Sequence, residues 1–118
     1  MEFLALIHAD EAGWERMSEA EQQSAREQYG EFANAARAAG VLVAGDELGS
    51  TSSATTVRIR DGHQLVSDGP YAEVKEALGG FFILDCPSLD DALEWAARIP
   101  AASHGAVEVR AVHSDPEE

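Results

Sequence analysis

Apolar residues fall along this chain in two rhythms, one of period two and one near 3.6, and these rhythms divide it into elements. Phe3-Leu4-Ala5-Leu6-Ile7 is a short apolar run ending at His8 and predicts a first strand. Asp10 to Met17 reads as a loop with a helical turn that tucks Trp14 inward. Ser18-Glu19-Ala20-Glu21 is a capping box, with Ser at the cap and Glu three residues on. Ala25, Tyr29, Phe32, Ala33, Ala36 and Ala39 then recur at helical spacing, and Gly40 closes the helix. Gly30 inside it costs about 1 kcal/mol against Ala, so something is expected to approach closely there. Val41 to Ala44 predicts strand two, breaking at Gly45, and Gly49 to Ser53 a polar loop. Thr55 to Arg60 alternates as a half-exposed strand, Asp61-Gly62 is a hairpin turn, and His63 to Val66 returns from it. Phe81 to Leu84 is the next strand. Pro87-Ser88 opens a second helix, with Asp90 and Asp91 in its first turn, where the helix dipole favours anions. Leu89, Ala92, Leu93, Ala96 and Ile99 form its expected buried stripe, and Pro100 stops it. Val107, Val109 and Ala111 alternate with Glu108, Arg110 and Val112 on a last strand.

Strand, helix, strand, hairpin, strand, helix, strand is the order of an α+β, ferredoxin-like β-α-β…β-α-β domain with an added β-hairpin. Residues 1–113 read as one domain and 114–118 as an acidic flexible tail. The first strand and the strand at Phe81 are apolar at both parities, a pattern of strands buried on both faces. Two amphipathic helices cover one face only. The expectation is therefore a homodimer, sheet facing sheet, forming a dimeric α+β barrel around an enclosed space. The alternative is a monomer whose loops, Asp10 to Met17 and Gly45 to Ser53, fold over the open face.

Composition narrows the function. An apolar fraction of 45% in 118 residues supports a real core in one domain. The formal net charge of −14 repels phosphates and anionic lipid, so neither nucleic acid nor a membrane surface is an expected partner. The acidity serves solubility or meets a basic protein partner. Cys86 is the single cysteine, which with the absence of a basic, apolar leader in residues 1–12 leads to an expectation of cytoplasmic residence. Cys86 has no basic neighbour in sequence and reads as structural.

The chemistry-bearing residues concentrate in Asp68-Gly69-Pro70-Tyr71-Ala72-Glu73-Val74-Lys75-Glu76. Asp68, Glu73 and Lys75 offer carboxylates and an ammonium for acid–base work. Equally, Asp68 caps the Gly-Pro turn, Glu73 pairs with Lys75 or Arg58, and the loop only shapes a rim. Tyr29 joins them as a catalytic candidate; its hydroxyl, if buried, needs a backbone group or Glu73 as partner. His8 stands two residues before Asp10, and a His-Asp pair there would orient an imidazole as a base. The competing reading is a strand-end histidine in solvent. His8, Arg58, Tyr71 and Arg110 form the expected ligand-binding set, with Glu108 and Arg110 two apart on one strand and expected to pair. Asp46 and Glu47 read as solvated turn residues. No metal-ligand spacing, P-loop, dinucleotide fingerprint or nucleophile elbow occurs, so any chemistry is expected to run without a metal or bound cofactor.

The Asp68–Glu76 segment, with Leu78-Gly79-Gly80-Phe81-Phe82 after it, resembles the signature of the YCII-related family in its DGPF-domain branch, with Tyr71 where Phe is usual. The likeness extends to Gly40-Val41-Leu42, Gly45-Asp46-Glu47-Leu48, Thr56-Val57-Arg58, Leu89 through Pro100 and Val107 to Arg110. The resemblance implies a dimeric α+β barrel. It also implies a site: relatives thought to be enzymes are credited with a catalytic His-Asp pair, the His lying in helix one at or next to the position of Tyr29. Helix one of this chain holds no histidine. Members of the DGPF branch are often encoded near extracytoplasmic-function sigma factors, which implies such a factor as the alternative, regulatory partner.

Overall fold

Ser18 starts the long helix in the way its sequence anticipates. In the computed structural model, which describes residues 1–113, Ser18 Oγ accepts from the Glu21 N–H at 3.1 Å, and Glu21 Oε1 accepts from the Ser18 N–H at 3.0 Å. Two backbone donors at that helix end are thereby satisfied. The elements run β1 (Glu2–Asp10), α1 (Glu11–Glu15), α2 (Glu19–Ala38), β2 (Leu42–Glu47), β3 (Thr55–Arg60), β4 (His63–Asp68), β5 (Glu76–Asp85), α3 (Leu89–Ala96) and β6 (Ala106–Ala111). The proposed tail, 114–118, lies outside the described residues.

β2, β5, β1 and β6 form one antiparallel sheet in that order, and β3 and β4 form a separate two-stranded ribbon. The order is compatible with a ferredoxin-like α+β fold, with the hairpin inserted between β2 and β5. The Asp61-Gly62 turn has both residues at positive φ, 52° and 76°, as the tightest hairpin connection requires. No helix among the described residues is long and apolar enough to cross a membrane.

The two faces of the sheet differ. Phe3, Ala5, Ile7 and Leu84 point toward the helices and are buried with Phe32, Ala36, Ala92, Ala96 and Ile99. Phe82 joins them, its ring 5.0 Å from that of Phe32, which also meets Trp95 edge-on at 6.3 Å. Leu4 pairs with Ile83 and Leu6 with Phe81, so these four share the opposite face, where each is only half-buried. α1 and the Gly49–Ser53 loop join α2 on the helix side and leave that opposite face bare.

Four expectations change. β2 does not break at Gly45 but runs on to Glu47, so Asp46 and Glu47 are strand residues. β5 begins at Glu76 rather than Phe81, because a bulge between Ile7 and His8 absorbs Gly79. Gly30 is exposed with open space beside it, so no close approach explains it. Leu89 and Leu93 are nearly half-exposed, since the eight-residue α3 turns only Ala92 and Ala96 fully inward.

Candidate functional site

Small residues create a cleft at one end of the helix side. Where β1 and β2 end and β5 begins, α2 presents Gly30 and Ala33, and the sheet presents Gly45, Gly79 and Gly80. Helix and sheet therefore cannot fill the space between them, and a cavity of about 720 Å³ remains. That size is typical of a small-molecule site. Gly45 is obligatory, because an added Cβ would strike the Phe82 ring and lie 2.9 Å from the Phe81 carbonyl oxygen. Gly80 is nearly so, its added Cβ falling 3.0 Å from the Asp46 carbonyl oxygen.

Trp14 forms one wall, and α2 fixes it. Gln22 Nε2 donates to the Trp14 carbonyl at 2.9 Å, and the Arg26 guanidinium lies 5.3 Å from the ring centroid, within cation–π range. Asp10 caps α1 by accepting from the Ala12 N–H at 3.0 Å and lies 3.6 Å from Arg16. Glu11 ties the far rim. Its two oxygens accept from the Thr51 N–H and hydroxyl, both at 2.8 Å, and more weakly from Ser50 at 3.4 Å.

Tyr29 reaches into the cleft from α2 and is half-buried. Burial pushes its phenol above the ordinary value of 10.0; a backbone interaction with Ala101 opposes this, and the Glu47 charge adds to the rise. The phenol therefore stays protonated at neutral pH and can donate a hydrogen bond beside the Glu47 carboxylate. Five carboxylates line the cleft (Asp10, Glu11, Glu15, Asp46 and Glu47) against the Arg26 guanidinium.

The structure disperses most of the residues singled out from sequence. Tyr29 lines the cleft, but its neighbours are Glu47 and Ala101, not Glu73. Asp68 ends β4 in full exposure, opposite Thr55. It does not cap the Gly-Pro turn; that turn is held by the Thr56 hydroxyl donating to the Gly69 carbonyl at 2.8 Å and by the Gly69 N–H donating to Ala54 at 2.7 Å. Glu73 and Lys75 line a separate, shallower depression at the root of the hairpin and form no ion pair among the described residues. Arg58 does not meet Glu73 but lies 5.4 Å over the Tyr71 ring. His8 and Asp10 do not pair: Asp10 is occupied by α1, and His8 turns to the bare face of the sheet. There its shielded Nε2 stands 3.4 Å from Glu108 Oε1 without hydrogen-bond geometry. Glu108 is thus drawn to His8 across β1 and β6 rather than to Arg110 along its own strand.

Sequence reasoning missed Glu11 and Glu47, and it gave Trp14 no site role. For Glu47 a signal existed. A glycine before two acids at a strand end marks close backbone approach as readily as a turn. Glu11 carried none, because its partners lie about 40 residues away.

A curated protein of Rhizobium meliloti (strain 1021), itself uncharacterised, is 48% identical over 62 residues, which is 51% of this chain and 50% of that protein. The chain thus spans about half the length of that relative. The YCII-related domain matches residues 1–114, nearly the whole length, and the chain belongs to that family.

Proposed function

We propose that this protein binds a small molecule in the cleft beneath Tyr29 and works on it by acid–base chemistry without a bound cofactor. The observation that carries this reading is the cleft itself. It is of ligand size, kept open by glycines, and holds a raised phenol beside Glu47. Tyr29 stands at or next to the position from which relatives are credited with using a histidine. A phenol above 10.0 is a proton donor at neutral pH and a poor base. The proton acceptor in such chemistry is then a carboxylate, and Glu47 is the one whose charge Tyr29 feels.

The bare apolar face supports a homodimer, sheet on sheet, as in a dimeric α+β barrel. Leu4, Leu6, Phe81 and Ile83 are only partly shielded by their own chain, with Glu108 and Arg110 beside them on the same face. The Asp68-Gly69-Pro70-Tyr71 segment supports placement in the DGPF branch, and the single buried cysteine supports cytoplasmic residence.

The test is a thermal-shift screen of metabolite classes against the wild-type protein, Tyr29→Phe, Glu47→Gln and Gly30→Leu, which fills the cleft wall. Ligands that stabilise the wild type should lose that effect in Gly30→Leu, and turnover of a bound ligand should fall in Tyr29→Phe and Glu47→Gln. Stabilisation that survives all three substitutions sinks the reading. A second reading, a regulatory module meeting a basic region of an extracytoplasmic-function sigma factor, is favoured by the net charge of −14. It requires binding that weakens steeply with salt.

A further inference from the structure

The β3–β4 ribbon is out of keeping with the rest of the chain. Every residue of β4 is exposed, and so are Val57 and Ile59 on β3. Isolated two-stranded ribbons are marginal in water and need a surface to pack on. This ribbon has one for half its area. Arg58, Leu65 and Thr56 share a face, and the following loop serves that face through Tyr71 and the Gly69 carbonyl. Val57, Val66 and Ile59 share the other face, at about 60% exposure each, and no helix or sheet among the described residues packs over it.

We propose that this second face of the ribbon is a clasp that lies on the body of a second copy of this chain, with each copy clasping the other. The inference deepens the sheet-to-sheet pairing proposed above and rests on it. Three observations select a second copy. The first is area. The chain exposes 8194 Å², where a compact monomer of 12.6 kDa would expose about 6,200 Å². The surplus exceeds the roughly 800 Å² per partner of a standard interface.

The second is charge. Residues 55–75 carry Arg58, Arg60 and Lys75 against Asp61, Asp68 and Glu73, a net of zero in a chain of −14. The whole excess of negative charge therefore sits on the remainder, and two such bodies repel. The ribbon is the part of this chain that can approach an acidic body without that penalty; Arg58 and Arg60 lie on its other face, so what favours the approach is the missing repulsion and not a direct ion pair. The third is reciprocity. The same chain bears a second, partly exposed apolar surface at the centre of its sheet, edged by Glu108 and Arg110, and a two-fold pairing covers both at once. Reach is sufficient: six strand residues extend about 20 Å, more than the roughly 14 Å width of a four-stranded sheet.

Two measurements test the clasp, both on the full chain. Sedimentation equilibrium compares the wild type with the Val57→Ser/Ile59→Ser/Val66→Ser variant. A photo-cross-linking residue at position 59, in mixed chains of light and heavy nitrogen, reports whether products join two copies. The expected result is a wild-type dimer, a dissociation constant raised about 100-fold in the variant with an unchanged circular dichroism spectrum, and light–heavy products from position 59. A wild-type dimer that keeps its affinity in the variant and gives no light–heavy product overturns the clasp and leaves sheet pairing standing. A wild type that sediments as a monomer at micromolar concentration overturns both. Should the variant lose its fold, the cross-linking result alone decides.

Discussion

Leu84 and Ile83 are neighbours in sequence and live in different surroundings. Leu84 points at the helices and is wholly buried; Ile83 points away and is only partly buried. The same contrast repeats along β1, with Phe3, Ala5 and Ile7 on one side and Leu4 and Leu6 on the other. Helix-side residues hold the fold together, and each depends only on its own chain. The residues of the other face are as apolar but receive no comparable cover. Hydrophobicity tells that a surface needs hiding; only the topology tells who hides it.

The largest effect should separate the two faces directly. Leu84→Ala is expected to lose about 3 kcal/mol in urea unfolding, at every protein concentration. Ile83→Ala should lose less at high dilution, and under the proposed sheet-to-sheet pairing its deficit should grow as concentration rises. Equal, concentration-independent losses would erase the distinction. Glycines on the helix side come next. Gly45→Ala drives a methyl into the Phe82 ring and should cost about 2 kcal/mol, whereas Gly30→Ala meets nothing within 4 Å and should gain up to about 1 kcal/mol. Destabilisation by both would mean that α2 sits closer to the sheet than described.

Ser18→Ala removes the cap that starts α2 and should cost about 1 kcal/mol. The same box has an acid signature. Hydrogen bonding to Ser18 holds the Glu21 carboxyl below its ordinary 4.5, so its contribution is present above 4.5 and fades as pH falls through the lower folded value. In Ser18→Ala this acid sensitivity should shrink without vanishing, because the backbone N–H of residue 18, the larger cause of the lowering, remains.

The smallest effect is spectroscopic. In a Tyr71→Phe variant, the absorbance of tyrosinate reports Tyr29 alone, and its midpoint should lie above 10.0. Because the folded value is raised, the associated stability is complete below 10.0 and is lost as pH climbs through the folded value. A midpoint at or under 10.0 would place Tyr29 outside the cleft.

Much of this architecture was legible in the residues. The capping box, the period of α2 and the Asp61-Gly62 turn are local signals, and each formed where its sequence said; of the two apolar strands, β5 starts five residues earlier than its apolar run. The site was legible at Tyr29 alone, and there through family position. Asp68, Glu73 and Lys75 drew attention because they are crowded in sequence, yet the hairpin carries them away from the cleft. Glu11 and Thr51 meet only because β1 and the hairpin's approach converge, a fact of tertiary topology. Likewise His8 stands near Glu108, its diagonal cross-strand neighbour 100 residues on, and not near Asp10, which is engaged by the Ala12 N–H and Arg16 at the start of α1.

Cys86 is sealed in the core at 2% exposure, and burial first, then the Asp91 and Asp85 charges, push its thiol above the usual 9.0. Such a sulfur is slow toward maleimides and disulfide reagents. The natural sequence is therefore already a quiet background for thiol labelling: a single cysteine placed at the ribbon tip or the cleft mouth would take up a fluorophore almost alone, and distances between those stations could be followed in the intact protein.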